Sequence, residues 1–192
     1  MAAKARFAVS LALGSLFGLG HFVSAPARQA PAAGQIASIR DLDFESLLEE
    51  RFRKEHKGAT MEEICEDMGR EEIDLMDSVF GDLDGDGKEE AAVMAFSCLA
   101  GTSGPDLTAV YKLQADGKVI ELPIAFPSQE EAYRGLDTKE VSLRLGEIRI
   151  EKQTYFETYT IWGGSKLQVR EFAFQWDGHK LALVGTKDTT IR

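Results

Sequence analysis

Histidine, cysteine and basic side chains are scarce in this chain, and each shortage narrows what it can do. The 22 lysines and arginines are outnumbered by 32 acidic residues, for a formal charge of −10, and no basic stripe interrupts that balance. A surface of this sign repels nucleic acid and anionic membranes, so neither is expected as a partner. The histidines are His21, His56 and His179, with no pair at zinc spacing. No Cys-x-x-Cys is present, which removes the dithiol redox signature. No Gly-x-Ser-x-Gly elbow occurs either; Ser103, in Gly-Thr-Ser-Gly, reads as a loop serine, and Gly163-Gly164 as a turn. The acids are too many for any one pair to be singled out for sugar hydrolysis.

The N-terminus carries an address. Lys4 and Arg6 precede an apolar and small-residue run from Phe7 to Val23, followed by small residues suited to cleavage at Val23-Ser24-Ala25 or Ala25-Pro26-Ala27. Three glycines and two serines dilute the run, which favours a removable signal peptide over a spanning helix. The expected organisation is a signal peptide over 1–27, a Pro/Ala-rich tether over 28–40, and one domain over 41–192. Cleavage removes Lys4 and Arg6 and no acid, taking the charge from −10 to −12. The mature chain is then exported, periplasmic or extracellular, with no membrane span. In such a compartment the two cysteines, Cys65 and Cys98, are expected to form a disulfide. Two buried free thiols are the alternative.

Hydrophobic periodicity predicts a mainly β (α+β) fold: two N-terminal helices, then about eight antiparallel strands. Asp43 caps a helix running to Lys57, with Phe44, Leu47, Leu48 and Phe52 on one face and Gly58 at its end. Thr60 and Glu63 form a capping box for a second helix that Gly69 stops, with Cys65 facing inward. The strands fall in two groups, 72–125 and 140–187. They are expected to pack as two sheets or as propeller-blade-like meanders, with the helices on one side. Asp116-Gly117 predicts a two-residue hairpin that sets Leu113 against Ile120, Tyr111 against Leu122 and Lys112 against Glu121. Asp177-Gly178 predicts another, with Trp176 against His179, Phe174 against Leu181 and Phe172 against Leu183. Pro123 marks an edge strand, and the change of phase at Gly146 marks a bulge or a tight turn. Tyr155, Phe156, Tyr159 and Trp162 read as core, with a binding strip as the alternative.

One segment carries chemistry. Gly81-Asp-Leu-Asp-Gly-Asp-Gly-Lys-Glu-Glu90 places acids at positions 1, 3, 5 and 9 of a loop, namely Asp82, Asp84, Asp86 and Glu90. Lys88 at position 7 can offer its backbone carbonyl, and Gly87 permits the sharp turn. Such a set of hard oxygens suits Ca²⁺; a solvated acidic turn is the alternative. Position 12 is Val93 in place of a bidentate Glu, and the flanks read as strands, so this is not an EF-hand. The segment resembles the calcium loops of FG-GAP and VCBS-type repeats, closely over Val79 to Ala95 and more loosely over 72–125 as a four-stranded blade. The resemblance implies Ca²⁺ ligands at Asp82, Asp84, Asp86 and Glu90. Only one such loop is present, and its ninth position is Glu where the repeats usually carry Asp, so the adhesion roles of multi-repeat relatives do not transfer. The function expected from these residues is a non-catalytic exported module, held by one Ca²⁺ and one disulfide, that binds a protein or glycan. A periplasmic or secreted hydrolase using acids of the β half is one alternative, and a periplasmic inhibitor presenting the Gly101–Asp106 loop is another.

Overall fold

The run Ala91-Ala-Val-Met-Ala-Phe96 contains no polar residue, so a strand built from it has no face to offer to water. The computed structural model buries both of its faces. It describes residues 37–65, 73–100, 105–136, 142–163 and 168–191. The segment expected to be a signal peptide, the expected tether up to residue 36, Gly69, positions 101–104 with Ser103, and Gly164 lie outside the described residues.

In chain order, helices α1 (Phe44–Glu55) and α2 (Met61–Cys65) are followed by strands β1 (Asp74–Gly81), β2 (Glu90–Phe96), β3 (Leu107–Leu113), β4 (Val119–Glu121) and β5 (Ile124–Ala125). A short helix α3 (Gln129–Ala132) then leads to β6 (Ser142–Glu151), β7 (Thr154–Trp162), β8 (Gln168–Trp176) and β9 (Leu181–Thr190). The first sheet has the order β1-β2-β3-β4 and the second β5-β9-β8-β7-β6. The mainly β architecture expected from the sequence is therefore present. Its strands differ in one respect: β5 leaves the first group at Pro123, whose carbonyl accepts from the Leu181 amide at 2.8 Å, and pairs in parallel with β9.

Three layers result. Ala91, Val93 and Ala95 of β2 join Ala109 and Tyr111 of β3 under Phe44, Leu48 and Phe52 of α1. Ala92 and Met94 face the other way, into a second core with Leu145, Ile148, Tyr155, Phe172 and Phe174 of the second sheet. The Asp43 side chain caps α1 through the Ser46 amide at 3.2 Å. Thr60 and Glu63 close their reciprocal box at 2.8 and 3.2 Å. Cys65 is buried and bonded to Cys98, with Cα atoms 5.6 Å apart. Ile39, within the segment expected to be a tether, is buried in the helix-side core.

Both predicted hairpin registers require correction. Tyr111 pairs with Glu121, Lys112 with Ile120 and Leu113 with Val119, one position away from expectation. The connection has three residues, with Gly117 at φ +80° after the turn, where a left-handed residue is needed. A slip of one exchanges faces: Ile120 and Leu122 enter the inter-sheet core, and Glu121 lies on the helix side. In the later hairpin Trp176 pairs with Leu181 and Phe174 with Leu183 across a four-residue loop, and a bulge after Ala173 sets Phe172 against Thr186. The Asp177 carboxylate fills that loop by accepting from the His179 and Lys180 amides at 2.8 and 2.9 Å. That slip is of two positions, so Phe174 and Leu181 remain inward. Of the two irregularities expected at Gly146, a bulge or a tight turn, the structure has a bulge, between Leu145 and Glu147.

Candidate metal centre

The acidic loop connects β1 to β2, and its backbone is wound by its own side chains. Asp82 accepts from the Gly85 amide at 2.7 Å and from the Gly87 amide at 3.1 Å. Asp84 accepts from the Asp86 amide at 3.2 Å, and Asp86 from the Lys88 amide at 2.9 Å. Gly85 and Gly87 both have φ near +80°, the conformation that closes the loop on itself. Asp82, Asp84 and Asp86 each bring one carboxylate oxygen to within 4.8 Å of the others. Oxygens on opposite sides of a calcium ion, at 2.3–2.6 Å each, stand roughly 4.6–5.2 Å apart. The three aspartates therefore form a cluster that can hold a metal ion, and their all-oxygen chemistry suits a hard cation.

Glu90 does different work. It is fully buried, and its Oε2 accepts from the Leu83 amide at 2.7 Å, tying the start of the loop to its end. It does not share the aspartate cluster. The exposed Lys88 donates its amide within the loop. At the next position the loop is anchored to the N-terminal segment. Arg40 forks onto the Glu89 carboxylate at 2.8 and 2.7 Å and lies over the Phe80 ring at 4.2 Å.

Sequence reasoning missed the part played by Lys112. It stands across the β2–β3 ladder from Glu90; its ammonium donates to Asp84 and to Asp86 at 2.7 Å and forms an ion pair with Glu90 at 3.2 Å. Burial works against its charge, but the three carboxylates outweigh burial and hold its pKa above the ordinary lysine value. The hydrogen bond from Lys112 is the main cause of a lowered Asp86 pKa, whereas burial raises that of Glu90. The crowded acids thus have a counter-charge within the chain. Only the β2–β3 register, which sets Lys112 opposite Glu90, brings it to the loop.

Gln153 was also invisible in the sequence. It sits with Lys152 in the tight β6–β7 turn, both at positive φ without a glycine. A Cβ added to Gly85 would come within 2.8 Å of the Gln153 side-chain nitrogen, so the second sheet's turn rests on the acidic loop.

Among the other residues singled out, His56 ends α1 with Nδ1 2.8 Å from the Phe52 carbonyl. Tyr155 is core, and its hydroxyl donates to the buried Glu157 at 2.7 Å, as does that of Tyr159. No helix among the described residues is long and apolar enough to cross a membrane. Comparison with protein-family models, curated proteins and solved structures finds no match for this chain.

Proposed function

We propose that this chain is an exported interaction module whose β1–β2 loop takes up Ca²⁺, and that it binds a protein or glycan in the periplasm or outside the cell. The observation that carries the metal reading is the convergence of Asp82, Asp84 and Asp86 on a loop already wound by backbone hydrogen bonds. The likeness of this segment to FG-GAP and VCBS-type loops supports calcium as the ion. The Cys65–Cys98 disulfide and the N-terminal address support export. With carboxylates already engaged by Lys112, the affinity belongs with extracellular modules, roughly 10⁻⁴–10⁻³ M.

Titration calorimetry with CaCl₂, alongside melting curves in calcium and in chelator, tests the metal. Saturable binding lost in Asp82→Asn, with a higher Tm in calcium, is expected; no heat and no shift overturn it. Export is tested separately by N-terminal sequencing of the envelope product, where a start near residue 28 is expected.

A further inference from the structure

We propose that the outer face of the second sheet, around Trp162 and Arg144, binds a carboxylate-bearing glycan, a short chain of uronic acid sugars. Strand alternation divides the aromatic run of β7 between two sides. Tyr155 and Tyr159 join the inter-sheet core with Leu145 and Ile148. Phe156 and Trp162 project the opposite way, as do Arg149 and Arg144 of the neighbouring β6, and neither ring belongs to either core. Each ring carries a guanidinium: Arg149 lies 3.9 Å from the Phe156 centroid and Arg144 4.5 Å from that of Trp162. Trp162 keeps 49% exposure.

The two arginines differ in charge balance. Arg149 pairs with Glu151 and Glu171 at 3.0 and 2.7 Å. Arg144 has no hydrogen bond or ion pair among the described residues beyond its place over Trp162. The next acid along its face of β6 is Glu147, opposite Thr158, and the two form no ion pair. A guanidinium left unmatched by its own chain suits a carboxylate from outside, whose two oxygens fit its N–H fork. The exposed indole beside it supplies the second contact, because the weakly positive C–H groups of a sugar ring settle on a negative π surface. Thr158 and Thr160 lie between the two rings on the same face and offer their hydroxyls. Phe156 and Trp162 are six residues apart on an extended strand, about 20 Å, so an oligomer reaches both where a single sugar cannot. A peptide suits this face less well: β7 is paired on both sides, by β6 and β8, and has no main-chain groups free for an extended chain to match.

This inference rests on the interaction-module reading, names the partner which that reading leaves as protein or glycan, and is independent of the metal. Tetragalacturonate and its fully methyl-esterified, uncharged form are titrated into the full chain in chelator, because uronates themselves take up calcium. Hexaglutamate is titrated in parallel. Calorimetry and the indole N–H signals of Trp162 and Trp176 follow binding. Saturable binding of tetragalacturonate that moves Trp162 and leaves Trp176 in place is expected, with the ester weaker by about tenfold or more. Arg144→Gln and Trp162→Ala should each weaken binding about tenfold or more while the melting transition stays cooperative, and Arg144→Lys should restore only part of the loss. Equal binding of acid and ester, unchanged binding by Arg144→Gln, or no saturation overturns the proposal. Hexaglutamate bound at Trp162 as tightly as the glycan also overturns it, and leaves the interaction module standing with a peptide partner.

Discussion

Lys112 stands directly across the ladder from Glu90, with its Nζ 3.2 Å from the Glu90 Oε1 atom. Because Glu90 is fully buried and the Lys112 side chain keeps only 15% exposure, removing the ammonium strands a charge away from water. Lys112→Met is expected to cost about 2–4 kcal/mol in chelator. It should also enlarge the rise in Tm on adding calcium, since the ion then meets no ammonium at Asp84 and Asp86. Melting curves of both proteins, with and without calcium, check both statements; an unchanged Tm in chelator would remove Lys112 from the role of counter-ion.

Glu157 makes stability depend on pH in the opposite sense from a surface carboxylate. Burial raises its pKa, although Tyr159 and Tyr155 hydrogen bonds work against the rise. A folded-state pKa above the unfolded one gives stability that is full below the unfolded value and is lost as pH rises through the folded value. Glu157→Gln should therefore gain on the wild type as pH climbs from about 4 toward 8. Denaturation midpoints across that range check it, and a gap independent of pH contradicts it.

Much of the fold was legible because periodicity and capping act locally. Asp43, Thr60 and Glu63 cap where their spacing says, and Phe44, Leu48 and Phe52 face the core. Hairpin registers were less legible, because an Asp-Gly pair fits turns of two, three or four residues, and only long-range packing chooses among them. The three aspartates could be read directly from spacing. Lys112 and Gln153 could not, since one depends on register and the other on a turn with no glycine.

Tyr111 carries a buried hydroxyl with no hydrogen-bond partner among the described residues, while its ring stacks on Phe44 at 6.0 Å. Phenylalanine keeps the stacking and removes the orphaned oxygen. Tyr111→Phe is expected to stabilise the chain by about 1 kcal/mol. Urea unfolding measures it, and a loss of stability would mean that the hydroxyl has a partner.

The Cys65–Cys98 bond closes a segment with a sequence separation of 33 that contains β1 and the acidic loop and begins at the last residue of α2. In the chain-entropy account such a closure is worth roughly 3–4 kcal/mol. Reduction, or the double change to alanine, should lower the urea midpoint accordingly and speed amide exchange over Met61–Cys65, whose five-residue helix is too short to persist alone. Exchange there that ignores reduction would show α2 to be held by its core contacts.

Gly81 shows how closely β1 approaches the second sheet. An added Cβ would lie 2.5 Å from Ile150 Cγ2 and 3.2 Å from Ile150 Cβ. Ile150 is β-branched and stiff at χ1, so that methyl group cannot swing aside without moving β6. Gly81→Ala is expected to cost about 1–3 kcal/mol, and the paired change with Ile150→Ala should recover part of the loss because it clears the same space. A thermodynamic cycle over the two single variants and the double measures that coupling; strictly additive losses would mean that the two strands do not meet at this point.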